Sequence, residues 1–320
     1  SFGGIGMKRM SGSMAVAGGE RNGRAACLAS LLVALMALAP AAFAELEPEC
    51  SAGEFPFWHE PGGHRAMDRA TALYEIRLRY FHRGLRWAHS PYAFHTVGST
   101  MVVHALCYAL VRGVPRRRAG EDFYLLGKLS KLRPLAYVRG APIRLQSRLS
   151  ERVPFGTGSE SAKLARGAEC ELYHPDCFAA VRVVTLGLRR CCRDPSGTGR
   201  AAPEPAIAEM LSRLSPPVKH FLEAQGAPEA WRRISAQAPN PVTRLRHLHD
   251  WFDGFRTLKL IHHLRDYGSP LLPWQEAVRR APFMDAVDDD GACLITARTE
   301  LLRVEQDLPR LVGPTAHSWS

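Results

Sequence analysis

Apolar residues recur at every third or fourth position in several long segments of the chain, a spacing that predicts helices. The pattern is clearest in residues 65–87 and in residues 121–132. Residues 100–112 are predicted to form a buried helix, and residues 244–265 a single amphipathic helix. Since the helical pattern continues from residue 206 onward, we expect the C-terminal region to be mainly helical.

Short runs rich in aromatic or β-branched residues lie between these helices and predict strands. They cover residues 53–59, residues 93–99 and part of residues 136–145. Residues 187–205, which include the sequence Pro-Ser-Gly-Thr-Gly, are typical of a loop or linker. Because helices alternate with short strands, the sequence predicts α/β architecture.

An uncharged apolar run covers residues 25–44 and follows Arg21 and Arg24. The basic flank, the apolar centre and the terminal Ala42-Phe43-Ala44 are typical of a secretory signal peptide. The same run also fits a buried strand followed by the start of a helix. A membrane span is a third interpretation, which Pro40 and the many alanines disfavour because they leave only a short strongly apolar centre. The residues alone leave these interpretations open.

The formal net charge of +11 favours anionic partners such as nucleotide phosphates or lipid head groups. The arginines are spread along the chain, so we expect a solvated basic surface and no nucleic-acid partner. The eight cysteines form no paired CxxC motifs and are predicted to be mostly reduced thiols. No metal ligands are predicted, because the histidines clustered near the C-terminus are interpreted as surface residues of a basic helix: His247, His249, His262 and His263.

Residues 74–132 read YEIRLRYFHRGLRWAHSPYAFHTVGSTMVVHALCYALVRGVPRRRAGEDFYLLGKLSKL, and SRLSERVPFGTG follows at residues 147–158. This stretch resembles the acceptor-side half of an inverting, family 2 nucleotide-sugar glycosyltransferase. The resemblance implies a partial GT-A type mixed sheet with flanking helices in residues 1–160. An irregular linker, residues 161–204, and the helical region, residues 205–320, would follow.

In that family a Gly-Ser/Thr segment packs near the donor sugar, an acidic pair opens a helix, and a mobile loop closes over the nucleotide sugar. By resemblance Asp122 is the general base, and Glu121 orients the acceptor or the helix start. A carboxylate suits the task of taking a proton from an acceptor hydroxyl. The resemblance assigns donor binding to His95, Gly98, Ser99, Thr100, Arg148, Arg152, Gly156 and Thr157.

The family also implies Mg²⁺ or Mn²⁺, held on the donor diphosphate by an Asp-x-Asp motif. The matching stretch lies near Val33-Ala34-Leu35, and no carboxylate occurs between Arg24 and Glu45. The part of the family fold that binds the nucleoside would precede Ser1. We therefore expect an N-terminally truncated member with a degenerate Asp-x-Asp region.

The expected partners are a nucleotide-sugar donor and an unknown acceptor, with peripheral association to a membrane. On this interpretation residues 25–44 belong to the protein core and the chain is cytoplasmic, or membrane-associated. Two alternatives remain: a catalytically inactive glycosyltransferase-like binding protein, and a secreted helical protein with residues 8–44 as its signal.

Overall fold

The chain is an α/β protein in which small mixed sheets accompany many helices. The computed structural model describes residues 49–116, 120–147, 157–192, 205–238, 240–284, 294–306 and 311–313. These residues all belong to one compact unit, residues 45–320.

Eight short strands are found in the described part of the chain: β1 (Ala52–Glu54), β2 (Phe57–Glu60), β3 (Met101–Val103), β4 (Leu135–Tyr137), β5 (Ile143–Gln146), β6 (Glu171–Leu172), β7 (Leu272–Pro273) and β8 (Leu311–Val312). The largest sheet has the order β3-β1-β4-β8. In it β1 runs parallel to β4 and antiparallel to β3, and β8 runs antiparallel to β4. Strands β2 and β5 form a parallel pair, and β6 and β7 an antiparallel pair.

The helices of the described residues are α1 (Arg65–Trp87), α2 (Ala105–Leu110), α3 (Glu121–Leu132), α4 (Thr157–Ala165), α5 (Pro175–Cys192), α6 (Pro205–Ser212), α7 (Pro216–Ala224), α8 (Ala227–Gln237), α9 (Pro241–Trp251), α10 (Gly254–Asp266), α11 (Trp274–Arg280) and α12 (Leu294–Gln306). The long helix α1 packs against α4, α5 and α12. The main apolar cluster joins α1 and α5 to the C-terminal helices, and a smaller one joins β1 and β4 to α2 and α3.

The predictions of helices at residues 65–87 and 121–132 are confirmed as α1 and α3. The predicted strand at residues 53–59 is instead two strands that belong to different sheets. Pro56 lies between them and has no backbone N–H, so it cannot donate to a strand ladder. Residues 136–145 likewise contribute to two strands, β4 and β5, which a turn at Gly140 with φ +140° separates.

The predicted strand at residues 93–99 was wrong, and the predicted buried helix at residues 100–112 is confirmed only as the short helix α2. Residues 93–97 are irregular, a short 3-10 turn covers Gly98–Thr100, and the strand is β3. The backbone N–H of His95 donates to Glu54 Oε2 at 3.1 Å, so a side chain and not a neighbouring strand satisfies it. Helix α2 is short and leaves most of its side chains exposed, whereas a buried helix was expected.

The predicted single helix at residues 244–265 is two helices, α9 and α10. Asp253 separates them and caps α10, because its Oδ1 accepts the backbone N–H of Arg256 at 3.1 Å. Phe252 is consequently buried in the main core, while Phe255 is exposed. The predicted loop at residues 187–205 begins later than expected, since α5 continues to Cys192 and residues 193–204 lie outside the described part of the chain.

Candidate functional site

Two motifs that are distant in the sequence meet at the start of α3. Gly120, with φ +73°, precedes this helix, and Glu121 and Asp122 lie in its first turn. Asp122 is half-buried, and its Oδ1 accepts the backbone N–H of Phe123 at 2.8 Å. A Cβ atom built on Gly98 would lie 3.7 Å from Asp122 Oδ2, so the glycine turn packs directly on this carboxylate.

The surroundings of Asp122 raise the pKa of its carboxyl above the ordinary value. Burial raises the pKa most, and the negative charge of Glu121 adds to this effect. Hydrogen bonds from the backbone N–H groups of Phe123 and Gly98 lower the pKa in part. The carboxylate is therefore a stronger base than an exposed aspartate, while it keeps access to solvent.

Of the other residues expected to bind substrate, the structure describes some and not others. Thr100 is buried and its hydroxyl donates to Val97 O at 3.0 Å, while Ser99 is half-buried. Thr157 begins α4. Arg148, Arg152 and Gly156 lie outside the described residues. The structure thus brings Gly98 and Asp122 together. Most of the expected closing loop lies outside the described residues.

A buried network of charged groups lies between α1, β2 and α12. Glu75 Oε1 accepts both the backbone N–H and the Nδ1–H of His59 at 2.6 Å. Glu75 Oε2 accepts the Nε–H of Arg298, and Arg79 Nη2 lies 3.9 Å from it. Burial alone would raise the pKa of Glu75, but hydrogen bonds from His59 and Arg298 and the charge of Arg79 lower it.

His95 belongs to a neighbouring buried cluster, which His82 and Glu305 complete. His95 Nε2 lies 3.0 Å from Glu305 Oε1, and His82 Nδ1 lies 3.7 Å from the same oxygen. Glu305 Oε2 accepts a hydrogen bond from Arg79. One ligand atom from each of the three residues lies within 4.8 Å of the others, a geometry compatible with a bound metal ion.

Burial and neighbouring charges shift the pKa values of His82, Glu305 and the nearby Glu54 in different directions. Burial opposes ionisation of Glu305, yet Arg79 and His95 hold the pKa of that carboxyl well below its usual range. Burial and the nearby His95 lower the pKa of His82 to about 4, so its imidazole is neutral near pH 7. Burial raises the pKa of Glu54 well above its ordinary value.

The buried charged residues of α1 and α12 were not predicted as a site, although their spacing in the sequence contains part of the signal. Glu75, Arg79 and His82 follow one another at helical spacing on α1, and Arg298 and Glu305 lie two turns apart on α12. Charged residues repeated on one helix face suggest a solvated surface, so the pattern alone does not indicate burial. The pairing depends on how α1 packs against α12, which no local pattern contains.

The prediction that the C-terminal histidines are all surface residues was wrong for His249, which is buried. Burial lowers the pKa of its imidazole to about 3. The prediction of reduced thiols agrees with the six described cysteines, none of which forms a disulfide: Cys50, Cys107, Cys170, Cys177, Cys191 and Cys192.

Among the described residues, no helix combines the length and apolar character needed to cross a bilayer. Comparisons with protein families, with curated proteins and with solved structures give no match to this chain.

Proposed function

We propose that this chain is an inverting glycosyltransferase of the family 2, GT-A type, which transfers a sugar from a nucleotide-sugar donor to an acceptor hydroxyl. The observation that supports this function is the contact between the glycine turn at Gly98 and the carboxylate of Asp122. The resemblance assigns these two motifs to one site, in which the glycine segment packs near the donor sugar and Asp122 is the general base.

The environment of Asp122 suits a general base. Its carboxylate is half-buried, and burial and Glu121 raise its pKa. In the proposed step, the acceptor hydroxyl gives its proton to Asp122 while its oxygen attacks the anomeric carbon. The bond from this carbon to the diphosphate oxygen breaks on the opposite face, and the diphosphate leaves with the electron pair. Configuration is therefore inverted in a single displacement.

The absence of cofactor ligands at the expected position shapes this mechanism. The stretch near Val33-Ala34-Leu35 carries no carboxylate and lies outside the described residues. Among the described residues, the group with metal-ligand geometry contains two imidazoles, which Mg²⁺ and Mn²⁺ do not favour. These residues do not fit the cation of the family, so no step of the proposed displacement passes through a metal ion.

The proposed acceptor side includes an exposed apolar helix. Helix α2 packs on α3 through Cys107, and it exposes Leu106 by 54% and Leu110 by 60%. These two leucines lie one helical turn apart and therefore on one face. The basic chain charge of +11 complements an anionic membrane surface. We therefore propose that α2 binds peripherally to such a membrane.

The experiment that tests the proposed function is donor turnover by the wild-type chain and by Asp122→Asn. Release of nucleoside diphosphate is measured with UDP-, GDP- and dTDP-sugars. Asp176 provides a matched control, because it also lies in the first turn of a helix but is exposed. Loss of turnover in Asp122→Asn with retention in Asp176→Asn supports the proposal.

A further inference from the structure

We infer that His82, His95 and Glu305 bind a divalent transition-metal ion of the zinc class. The inference does not depend on the proposed glycosyl transfer. Glu305 Oε1 lies 3.0 Å from His95 Nε2 and 3.7 Å from His82 Nδ1. Ligand atoms around tetrahedral zinc are expected about 3.3 Å apart, given metal–ligand distances near 2.0–2.2 Å. The two observed separations lie on either side of this value.

The hydrogen bonding of His82 leaves a lone pair directed toward the cluster. His82 Nε2 lies 3.1 Å from the carbonyl oxygen of Ala93, which only accepts hydrogen bonds. The ring proton therefore resides on Nε2, and Nδ1 carries the lone pair of the neutral tautomer. Nδ1 is buried and has no hydrogen-bond partner among the described residues. It faces a carboxylate oxygen, which is also an acceptor, and a cation between them would satisfy both.

Neighbouring groups orient the ligand residues by hydrogen bonds, as the groups around the ligands do in known metal sites. The Ala93 carbonyl fixes the tautomer of His82, and Arg79 binds the second oxygen of Glu305, so that Oε1 remains for the ion. Arg79 is itself anchored by the carbonyl oxygen of Phe57 at 2.6 Å. The Phe57 ring packs edge-on against His95 with centroids 5.3 Å apart, which supplies an apolar wall.

Glu54 lies beside the cluster, although it is not one of the three residues whose ligand atoms lie within 4.8 Å of one another. This carboxyl is buried, interacts electrostatically with Glu305, and holds the backbone N–H of His95 with its Oε2. Its Oε1 is buried without a hydrogen-bond partner among the described residues. A second carboxylate would also offset the charge that the ion adds beside Arg79.

The ligand types and the burial indicate the class and the role of the ion. Two imidazole nitrogens with carboxylate oxygens suit Zn²⁺ better than Mg²⁺ or Ca²⁺. All three ligand residues are buried, with at most 6% of their surface exposed. His95 and Glu305 are 210 positions apart, so the ion would tie the segment after α1 to α12. A stabilising role follows from this geometry.

The test uses the full chain, treated with EDTA and confirmed as folded by near-ultraviolet circular dichroism. Isothermal titration with Zn²⁺ should give one ion per chain, and zinc should raise the melting temperature. Co²⁺ should give the intense visible absorption of a four-coordinate site, a readout that needs no variant. A folded wild-type chain that binds neither ion, or binds Co²⁺ with only the weak absorption of the hydrated ion, overturns the inference.

His82→Asn and His95→Asn should weaken zinc binding by more than the ~10–100-fold typical of outer-shell changes. His220→Asn is the matched control, because His220 is exposed, and it should bind zinc like the wild type. Undiminished stoichiometric binding in both cluster variants would also overturn the site. If these variants do not fold, the Co²⁺ spectrum of the wild type decides. Asp122→Asn should retain zinc binding, which separates this result from that of the transferase.

Discussion

Gly98 and Asp122 are in direct contact, since a Cβ atom on the glycine would lie 3.7 Å from Oδ2 of the aspartate. The neighbouring Glu121 adds a negative charge that raises the pKa of Asp122 after the larger effect of burial. The base must be ionised to act, so kcat/KM should rise as the pH rises through the pKa of Asp122. This pKa lies above the ordinary value of 3.8.

Glu121→Gln removes that repulsion and should shift the rising limb of this pH profile toward lower pH. Asp176→Asn, in the first turn of α5, should leave the profile in place. The measurement is the pH dependence of nucleoside diphosphate release. An unmoved limb in Glu121→Gln would show that Asp122 does not control it.

Gly84 lies on α1 where the ring of Phe178 approaches the helix backbone. A Cβ atom there would lie 2.5 Å from Phe178 Cδ1, so Gly84→Ala should destabilise the protein by about 1–3 kcal/mol through overpacking. The check is the free energy of unfolding in denaturant.

Gly127→Ala is the matched control for this change, since Gly127 also lies inside a helix but has no atom within 4 Å of the added Cβ. It should stabilise the protein by about 0.5–1 kcal/mol, because alanine favours helix. Equal effects of the two substitutions would contradict the packing of α1 against α5.

Glu75 should make the protein sensitive to acid. Its folded pKa is lowered relative to 4.5, so its contribution to stability is present above about pH 4.5 and is lost as pH falls through the folded pKa. Glu75→Gln should lose about 3–5 kcal/mol near neutral pH, because a buried charge network is broken. The difference in unfolding free energy between wild type and variant should shrink on acidification.

The control for the acid effect is Glu60→Gln. Glu60 pairs with Arg144 at an exposed site, where ion pairs contribute about 0–1 kcal/mol. A difference for Glu75→Gln that stays constant from neutral pH to the onset of acid unfolding would show that its carboxylate is not held ionised by folding.

Helix α2 should mediate binding to anionic membranes. The double substitution Leu106→Glu and Leu110→Glu adds charge to the exposed apolar face and should abolish co-sedimentation with phosphatidylserine vesicles. Val183→Glu is the control, because Val183 is an exposed apolar residue of α5, on another helix. Retained vesicle binding in the α2 double variant would exclude this surface.

The parts of the fold that the sequence predicts well are those with strong local signals. Helices α1 and α3 were predicted with their observed bounds, because apolar periodicity is strong in both segments. The break at Asp253-Gly254 was missed because apolar residues continue in helical register across it. The cap residue Asp253 followed by glycine was the local signal for that break.

Segments whose structure depends on distant partners were predicted less well. Strand β3 pairs with β1, and Thr100 O accepts the backbone N–H of Phe55, so the extended segment starts later than its composition suggests. The resemblance assigned Gly98 and Asp122 to one site, but their direct contact was not predicted. The cluster of His82, His95 and Glu305 was not predicted either, because it requires three segments to pack together.

The proposed role of Asp122 is tested by donor turnover in Asp122→Asn, with donor binding measured in parallel as a thermal shift. Burial disfavours the ionised carboxylate, so the neutral asparagine should leave the melting temperature unchanged or higher at neutral pH. We expect one nucleotide sugar to stabilise both proteins, and turnover to fall by about 10²–10⁴-fold in the variant alone. Undiminished turnover by a folded Asp122→Asn chain would show that Asp122 is not the general base.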